Sequence, residues 1–146
     1  MEEHPDNFKT VQTTVDYEIQ NGLLKQNTPS GLPAATRTLL RLHRALEFFV
    51  KFISRLNDEP SMDGKTSVIA SEVYGETLAN YHPWLVRQAA YLVLRTLPNK
   101  RTFVENYCKH GVEEVAEHAG KAVDLMQEIF DVIQSLFAQH DLLELS

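Results

Sequence analysis

The sequence predicts an all-α fold in a single domain. Apolar residues recur at spacings of three and four along most of the 146 residues, which is the pattern of amphipathic helices. Alternation of apolar and polar residues, the pattern of a half-buried strand, does not persist beyond four residues anywhere. The length fits one domain of roughly 100–200 residues. Runs that contain Pro and Gly divide the chain into helical segments.

The first half of the chain is predicted to hold three helices. The first covers residues 6–24, and it is expected to end there because residues 27–33 contain two prolines and a glycine. The second covers residues 34–56, and the third covers about 65–80, with Gly75 as an irregularity within it. The apolar face of the first helix consists of Phe8, Val11, Val15, Ile19 and Leu23, and the third presents Val68, Ile69, Val73 and Leu78.

The second half is predicted to hold three more helices. Pro83 suits the first turn of a helix over residues 84–97, which Pro98 ends. A short helix follows over 101–109, and a long one covers 112–140. The long helix is expected to turn these residues inward: Val115, Ala119, Ala122, Leu125, Met126, Ile129, Ile133, Leu136 and Phe137.

The second helix has an unusually wide apolar stripe. Its stripe consists of Leu39, Leu42, Leu46, Phe49, Ile53 and Leu56, and Ala45, Phe48 and Phe52 widen it. Such a helix is either buried on most sides or lines an apolar cavity. Periodicity alone leaves both interpretations open.

Charge is distributed unevenly along the chain. There are 14 Lys and Arg against 20 Asp and Glu, for a net charge of −6, and an acidic total disfavours a general nucleic-acid binder. Two segments are basic nevertheless, since residues 37–55 carry five basic and one acidic side chain and residues 82–101 carry four and none. These segments form either one anion-attracting surface or two unrelated solvated faces.

Signatures of catalysis, metal binding and secretion are missing from the sequence. It has no Gly-rich phosphate loop, no HExxH and no GxSxG, and its six histidines lack the spacing of metal ligands. We therefore expect no enzyme activity, no cofactor and no metal. The single cysteine, Cys108, cannot form an internal disulfide, and the polar N-terminus is unlike a signal peptide. A cytosolic chain is the expectation.

Three arginines of the second helix carry the first binding hypothesis. Arg37, Arg41 and Arg44 stand at positions i, i+4 and i+7, where like charges repel unless an anion joins them. Forked guanidinium groups one turn apart suit a phosphate, which accepts bidentate hydrogen bonds. The alternative is an ordinary polar helix edge.

His82 precedes the helix-opening Pro83, at a helix N-terminus that favours anions and carbonyl oxygens. It is either a ligand to such an oxygen or a capping side chain. The adjacent Trp84 is either a core residue or a membrane-interface anchor with an apolar body and a polar tip.

Two runs that contain these residues resemble the signature segments of the glycolipid transfer protein superfamily. They are RTLLRLHRAL at residues 37–46 and YHPWLVR at residues 81–87. The ending QHDLLEL at residues 139–145 is also similar, and the resemblance is strongest to the ceramide-1-phosphate-transferring branch. The resemblance implies a two-layer all-helical sandwich that moves a sphingolipid between membranes without converting it chemically.

The resemblance also implies roles for individual residues. Arg37 and Arg41 match the phosphate-binding arginines, and His82 matches the histidine that bonds the ceramide amide carbonyl. Trp84 matches a membrane-contacting tryptophan, and Arg87 could meet anionic lipid beside it. The implied partners are ceramide-1-phosphate or a related phosphosphingolipid and a transient membrane surface. The implied location is the cytosol, with peripheral association to Golgi, endosomal and plasma membranes.

One departure from the family pattern is expected. Residues 1–146 resemble a partial family domain that starts near the family's third helix, so the two preceding helices have no counterpart. The second of those helices supplies an Asp and a Lys to the headgroup site of the family. Apolar faces are then expected to be uncovered. The alternative to a transfer protein is a lipid-sensing or regulatory module that binds membranes without transferring lipid.

Overall fold

The computed structural model describes residues 5–27, 34–107 and 112–145. The regular elements in these ranges are helical, as the sequence predicted. The α-helices are α1 (Val11–Gln20), α2 (Ala35–Asp58), α3 (Thr66–Glu76), α4 (Trp84–Leu94), α5 (Lys100–Tyr107) and α6 (Val112–Gln139), and short 3-10 helices cover Pro5–Phe8 and Leu78–Tyr81. The chain divides into two compact units, the first formed by Met1–His43 with Phe130–Ser146 and the second by Arg44–Ile129.

The first unit has its core where α1, the start of α2 and the end of α6 pack together. The buried members are Val15, Leu40, Leu136, Phe137 and Leu142. Val15 and Phe137 have no exposed surface. Ile133, predicted to face inward, packs against this cluster.

Both α1 and α6 end in a Schellman motif. At the end of α1, the Gly22 N–H donates to the Ile19 carbonyl over 3.1 Å and the Leu23 N–H donates to the Glu18 carbonyl over 2.9 Å. Gly22 has φ +65°, a conformation that glycine adopts without steric cost. This motif ends α1 at Gln20, four residues before the predicted end.

The end of α6 repeats this geometry with a different residue at the turn. The Asp141 N–H donates to Ala138 over 3.1 Å and the Leu142 N–H donates to Phe137 over 2.9 Å. Asp141 has φ +54°, so an L side chain occupies the left-handed conformation here. The motif turns Leu142 back into the core beside Phe137.

The second unit has its own core between α2, α3 and the segments that follow α4. Phe52, Leu56, Ala70 and Val73 are its buried members. Phe48 stacks on Phe52 with ring centroids 5.7 Å apart. These contacts account for part of the wide apolar stripe as ordinary core packing.

Two residues of α6 that were predicted to face inward are exposed, so that expectation was wrong for them: Leu125 is 61% and Ile129 is 53% exposed. On α2, Leu42 is 62% and Phe49 is 51% exposed, so part of its wide apolar stripe is not buried. Periodicity identifies the apolar face of a helix, but a helix with apolar residues on two faces buries only the one that meets a neighbour.

The third helix is shorter than predicted because the chain changes conformation at Thr77. There φ is −118° and ψ is −95°, outside the helical range. The Thr77 hydroxyl donates to the Val73 carbonyl over 2.7 Å and occupies the end of α3. The next residues form the 3-10 helix Leu78–Tyr81, which leads directly to His82.

Candidate functional site

Arg37 and Arg41 lie one turn apart near the start of α2, in the first unit. Arg37 is half-buried and Arg41 is exposed. The Nη1 of Arg37 lies 3.5 Å from the Asn27 Oδ1, at the outer limit of a hydrogen bond. The Nε of Arg37 is buried and has no hydrogen-bond partner in the described part of the chain.

Carboxylates do not neutralise these two arginines. Within residues 5–27, 34–107 and 112–145, neither Arg37 nor Arg41 forms an ion pair. Elsewhere on α2, Lys51 pairs with Glu47 and Arg55 pairs with Glu76. Two like charges one turn apart cost ~0.2–0.5 kcal/mol. An anion between them would remove that repulsion.

Glu18 positions the helix turn that carries Arg37. Glu18 is 5% exposed, and its carboxylate accepts hydrogen bonds from the backbone N–H groups of Ala35 and Thr36, each over 2.8 Å. A carboxylate at a helix N-terminus satisfies free donors and complements the helix dipole. The sequence interpretation missed this residue. Its signal was a lone acidic side chain on the apolar face of α1, between Val15 and Ile19.

Arg44 has a different environment from the other two arginines. It belongs to the second unit, and its guanidinium carbon lies 3.8 Å from the centroid of the Tyr81 ring. Such a cation–π contact contributes ~0.5–2 kcal/mol. It links α2 to the 3-10 helix that immediately precedes His82.

His82 lies between that 3-10 helix and α4, and Tyr74 fixes its ring. The Tyr74 hydroxyl and the His82 Nδ1 are 2.7 Å apart. Tyr74 is 4% exposed, and Tyr91 packs edge-on against it with centroids 5.2 Å apart. The Nε2 of His82 makes no hydrogen bond to the residues that the structure describes, so it is the nitrogen left for a ligand.

The pKa of Tyr74 is raised above 10.0. Burial is the largest cause, because it disfavours the tyrosinate, and the neighbouring Tyr91 adds to it while Arg87 acts in the opposite direction. Tyr74 therefore keeps its hydroxyl proton at neutral pH. Sequence reasoning did not single out Tyr74, which reads as one more apolar position of the third helix.

His43 lies inside the run at residues 37–46, but its environment is that of a core residue. It is buried, its Nε2 lies 2.7 Å from the Gln134 Oε1, and it stacks on Phe130 with centroids 4.4 Å apart. These contacts join α2 to α6 within the first unit.

Trp84 opens α4 and is 65% exposed, so it is not a core residue. Leu85, Val86, Leu92 and Val93 are exposed as well, and α4 has no fully buried residue. Arg87, on the same helix, is half-buried. Such an exposed apolar surface is typical of a site that binds a membrane or another protein. None of the described helices is both long and apolar enough to span a bilayer.

The remaining sequence expectations concern metal ligands and Cys108. Among the described residues, no group of three or more His, Cys, Asp or Glu side chains is close enough to hold a metal ion. Cys108 lies outside the described residues.

The candidate residues lie within a region that is similar to known proteins. A family profile described as glycolipid transfer protein matches residues 1–109, a range that includes both arginines, His82, Trp84 and Arg87. The chain belongs to the glycolipid transfer protein family. It is 36% identical to ceramide-1-phosphate transfer protein of Mus musculus, over 96% of this chain and 66% of that protein. It is 38% identical to the Danio rerio protein of the same name, over 98% and 68%.

A solved family structure has the same fold. The crystal structure of human ceramide-1-phosphate transfer protein in complex with 12:0 ceramide-1-phosphate superposes with a TM-score of 0.89 at 32% identity. The match covers 99% of this chain and 70% of that one. The chain therefore has the all-α glycolipid transfer protein fold, and it spans about two thirds of the length of the curated relatives that it matches.

Proposed function

We propose that this chain binds ceramide-1-phosphate or a related phosphosphingolipid and moves it between membranes. The observation that carries the proposal is the pair Arg37 and Arg41, which have no carboxylate partner in the described part of the chain. Two relatives named ceramide-1-phosphate transfer protein support the same conclusion. Those names favour a transfer protein over a module that only senses lipid.

The phosphate is held by the two guanidinium groups. Arg37 contributes a buried Nε donor that lacks a partner among the described residues, and a phosphate oxygen would satisfy it. Hydrogen bonds to a charged group are worth ~1.5–3 kcal/mol each, and the guanidinium fork matches phosphate geometry. The Glu18 carboxylate orients the helix turn that presents Arg37.

The amide of the sphingolipid is bound by His82. Its Nδ1 is occupied by Tyr74, which leaves Nε2 for the amide carbonyl oxygen. No bond of the lipid forms or breaks in this scheme, so the protein is not an enzyme and needs no cofactor or metal. The affinity comes from hydrogen bonds, ion pairing and burial of the hydrocarbon chains at ~0.8 kcal/mol per methylene.

The membrane is contacted through α4. Burial of the exposed part of Trp84 in the interface supplies ~2–3 kcal/mol, and Leu85 beside it adds apolar area. Arg87 adds roughly 1 kcal/mol where the membrane carries anionic lipid. The contact is transient, which fits a cytosolic protein that visits Golgi, endosomal and plasma membranes.

A vesicle transfer assay with Arg41→Leu tests the headgroup assignment. Loss of a charge-assisted phosphate contact worth ~1.5–3 kcal/mol should slow ceramide-1-phosphate transfer about 10- to 100-fold. Arg55→Leu is the matched control, because Arg55 lies on the same helix but pairs with Glu76 over 2.7 Å. The control should transfer lipid at nearly the original rate. Unchanged transfer by Arg41→Leu contradicts the assignment.

The membrane contact has its own test in vesicle sedimentation. Trp84→Ala should weaken binding to vesicles that contain anionic lipid by at least about tenfold, since most of the ~2–3 kcal/mol from burial of Trp84 is lost. Phe8→Ala is the control, because Phe8 is also an exposed aromatic residue but lies outside α4. Equal weakening by both variants would show that general apolar exposure, and not α4, binds the membrane.

A further inference from the structure

The hydrogen bond between Tyr74 and His82 determines which imidazole nitrogen carries the proton. A neutral imidazole has one N–H donor and one bare nitrogen acceptor, and the bond made by one nitrogen sets the state of the other. Nδ1 of His82 is engaged over 2.7 Å. The direction of this one bond therefore decides whether Nε2 offers a donor or an acceptor to a ligand.

Burial of Tyr74 favours one direction of the bond. The hydroxyl is on a side chain that is 4% exposed, and its hydrogen bond within the described residues is to His82. If Nδ1–H were the donor, the Tyr74 O–H would be buried without an acceptor there, which is unfavourable. The hydroxyl is therefore the donor and Nδ1 the acceptor. The raised pKa of Tyr74 keeps that proton on the hydroxyl.

We propose that Tyr74 is a positioning residue that places the imidazole proton of His82 on Nε2 and so makes this nitrogen a hydrogen-bond donor. The Nε2–H group then selects a ligand that offers an acceptor oxygen, such as the carbonyl of an amide. A ligand that places a donor group against Nε2–H would leave both donors without an acceptor. The proposal rests on the proposed function, because it assumes that His82 meets the lipid.

The surroundings hold both rings in place for this role. Tyr91 packs edge-on against Tyr74, with centroids 5.2 Å apart, and limits rotation of the phenol ring. Arg44 lies over Tyr81, the residue before His82, at 3.8 Å, and restrains the turn. All of these residues belong to the second unit, whereas the arginine pair belongs to the first.

Nitrogen-15 NMR of the histidine rings tests the tautomer directly. The spectrum is taken at about pH 8, where an ordinary His is neutral, and a His82→Asn variant identifies the His82 signals among the six histidines. In the unaltered chain we expect a bare Nδ1 and a protonated Nε2. In Tyr74→Phe we expect a mixture of both tautomers. A protonated Nδ1 in the unaltered chain overturns the proposal, even if Tyr74→Phe fails to fold.

Lipid transfer tests the consequence of the tautomer. Tyr74→Phe should slow ceramide-1-phosphate transfer about 3- to 10-fold, the effect expected from one neutral hydrogen bond. Tyr17→Phe also removes a hydroxyl from a half-buried tyrosine, but in the first unit, and should transfer normally. If His82→Asn slows transfer and Tyr74→Phe does not, the positioning role is wrong. If His82→Asn itself transfers normally, the proposed function of His82 fails while the NMR result still stands.

Discussion

The two units of the chain use their apolar residues in different ways. In the first unit, α1 and α6 end in the same type of cap, and the second cap returns Leu142 to a core that contains the fully buried Phe137. In the second unit, α4 is just as apolar in sequence but has no fully buried residue and begins with the exposed Trp84. The apolar residues at the end of α6 therefore pack into a core, whereas those of α4 form an exposed surface, although the second unit also has a core of its own around Phe52 and Val73.

The polar residues of the candidate site are also divided between the two units. The first unit contains the arginine pair Arg37 and Arg41, and in the second unit we propose a hydrogen-bond donor at His82, positioned by Tyr74. Charge recognises a phosphate and a neutral donor recognises a carbonyl. Substitutions in the first unit should therefore act mainly on the free energy of unfolding or on phosphate selectivity. Substitutions of the exposed residues of α4 should change neither the free energy of unfolding nor the selectivity for phosphate.

The largest expected effect compares one buried and one exposed residue of α6. Phe137→Ala removes a ring with no exposed surface and should lower the free energy of unfolding by ~3–5 kcal/mol. Leu125→Ala changes a side chain that is 61% exposed, and it should cost less than ~0.5 kcal/mol. Urea unfolding followed by circular dichroism measures both. A cost above 2 kcal/mol for Leu125→Ala, as an order of magnitude for core truncation, would mean that the two units do not differ in this way.

This pair of residues also shows what periodicity can and cannot predict. Leu125 and Phe137 lie on the predicted inward face of the same helix, and only Phe137 is buried. The sequence specifies which residues share a helix face, because spacing determines that. It does not specify which neighbour covers the face. The approximate positions of the six α-helices within the described residues were predictable for this reason, whereas the exposure of Leu42 and Ile129 was not.

The candidate site divides in a similar way between what the sequence predicts and what it does not. Residue type and spacing marked Arg37, Arg41 and His82 as candidates, with Arg44 beside them, and the resemblance to the family selected these three and implied their roles. Glu18 and Tyr74 were not predicted. Glu18 binds the backbone N–H of Ala35, 17 residues along the chain, and Tyr74 bonds His82, 8 residues along the chain. Such partners depend on how helices pack, and helical spacing does not carry that information.

Glu18 tests whether the first unit depends on a polar contact as well as on its core. Glu18→Ala leaves the N–H groups of Ala35 and Thr36 without their acceptor and removes a carboxylate from the helix N-terminus, so it should cost ~2–3 kcal/mol. Glu18→Gln keeps one acceptor oxygen and should cost about half as much. Thermal and urea unfolding measure both variants. Equal stability of Glu18→Ala and the unaltered chain would show that water replaces the carboxylate without loss.

Tyr74 should give the second unit a sensitivity to alkaline pH. Its folded pKa is raised above the ordinary value of 10.0, so above about pH 10 the unfolded chain loses this proton more readily than the folded chain. Stability should be unaffected below that pH and should fall by up to ~1.4 kcal/mol per pH unit between the unfolded and folded pKa values. Urea unfolding at pH 8–11 checks this. Tyr74→Phe should show a shallower alkaline decline, and an identical decline would contradict the assignment to Tyr74.

The smallest expected change in stability concerns the two helix caps of the first unit, which have different residues at the left-handed position, Gly22 and Asp141. Gly22 has φ +65°, and a Cβ added there meets nothing within 4 Å, so Gly22→Ala has only a conformational cost, of ~1 kcal/mol. Asp141 holds the same conformation at φ +54° with a side chain, and Asp141→Gly should gain ~0.5 kcal/mol, because glycine relieves the strain but adds entropy to the unfolded chain. A loss of stability in Gly22→Ala together with a gain in Asp141→Gly would show that backbone strain at the left-handed position determines both effects. If helix ends tolerated any substitution, neither variant would change the free energy of unfolding. If both variants destabilise in urea unfolding, Asp141 contributes more through its side chain than it costs through its backbone.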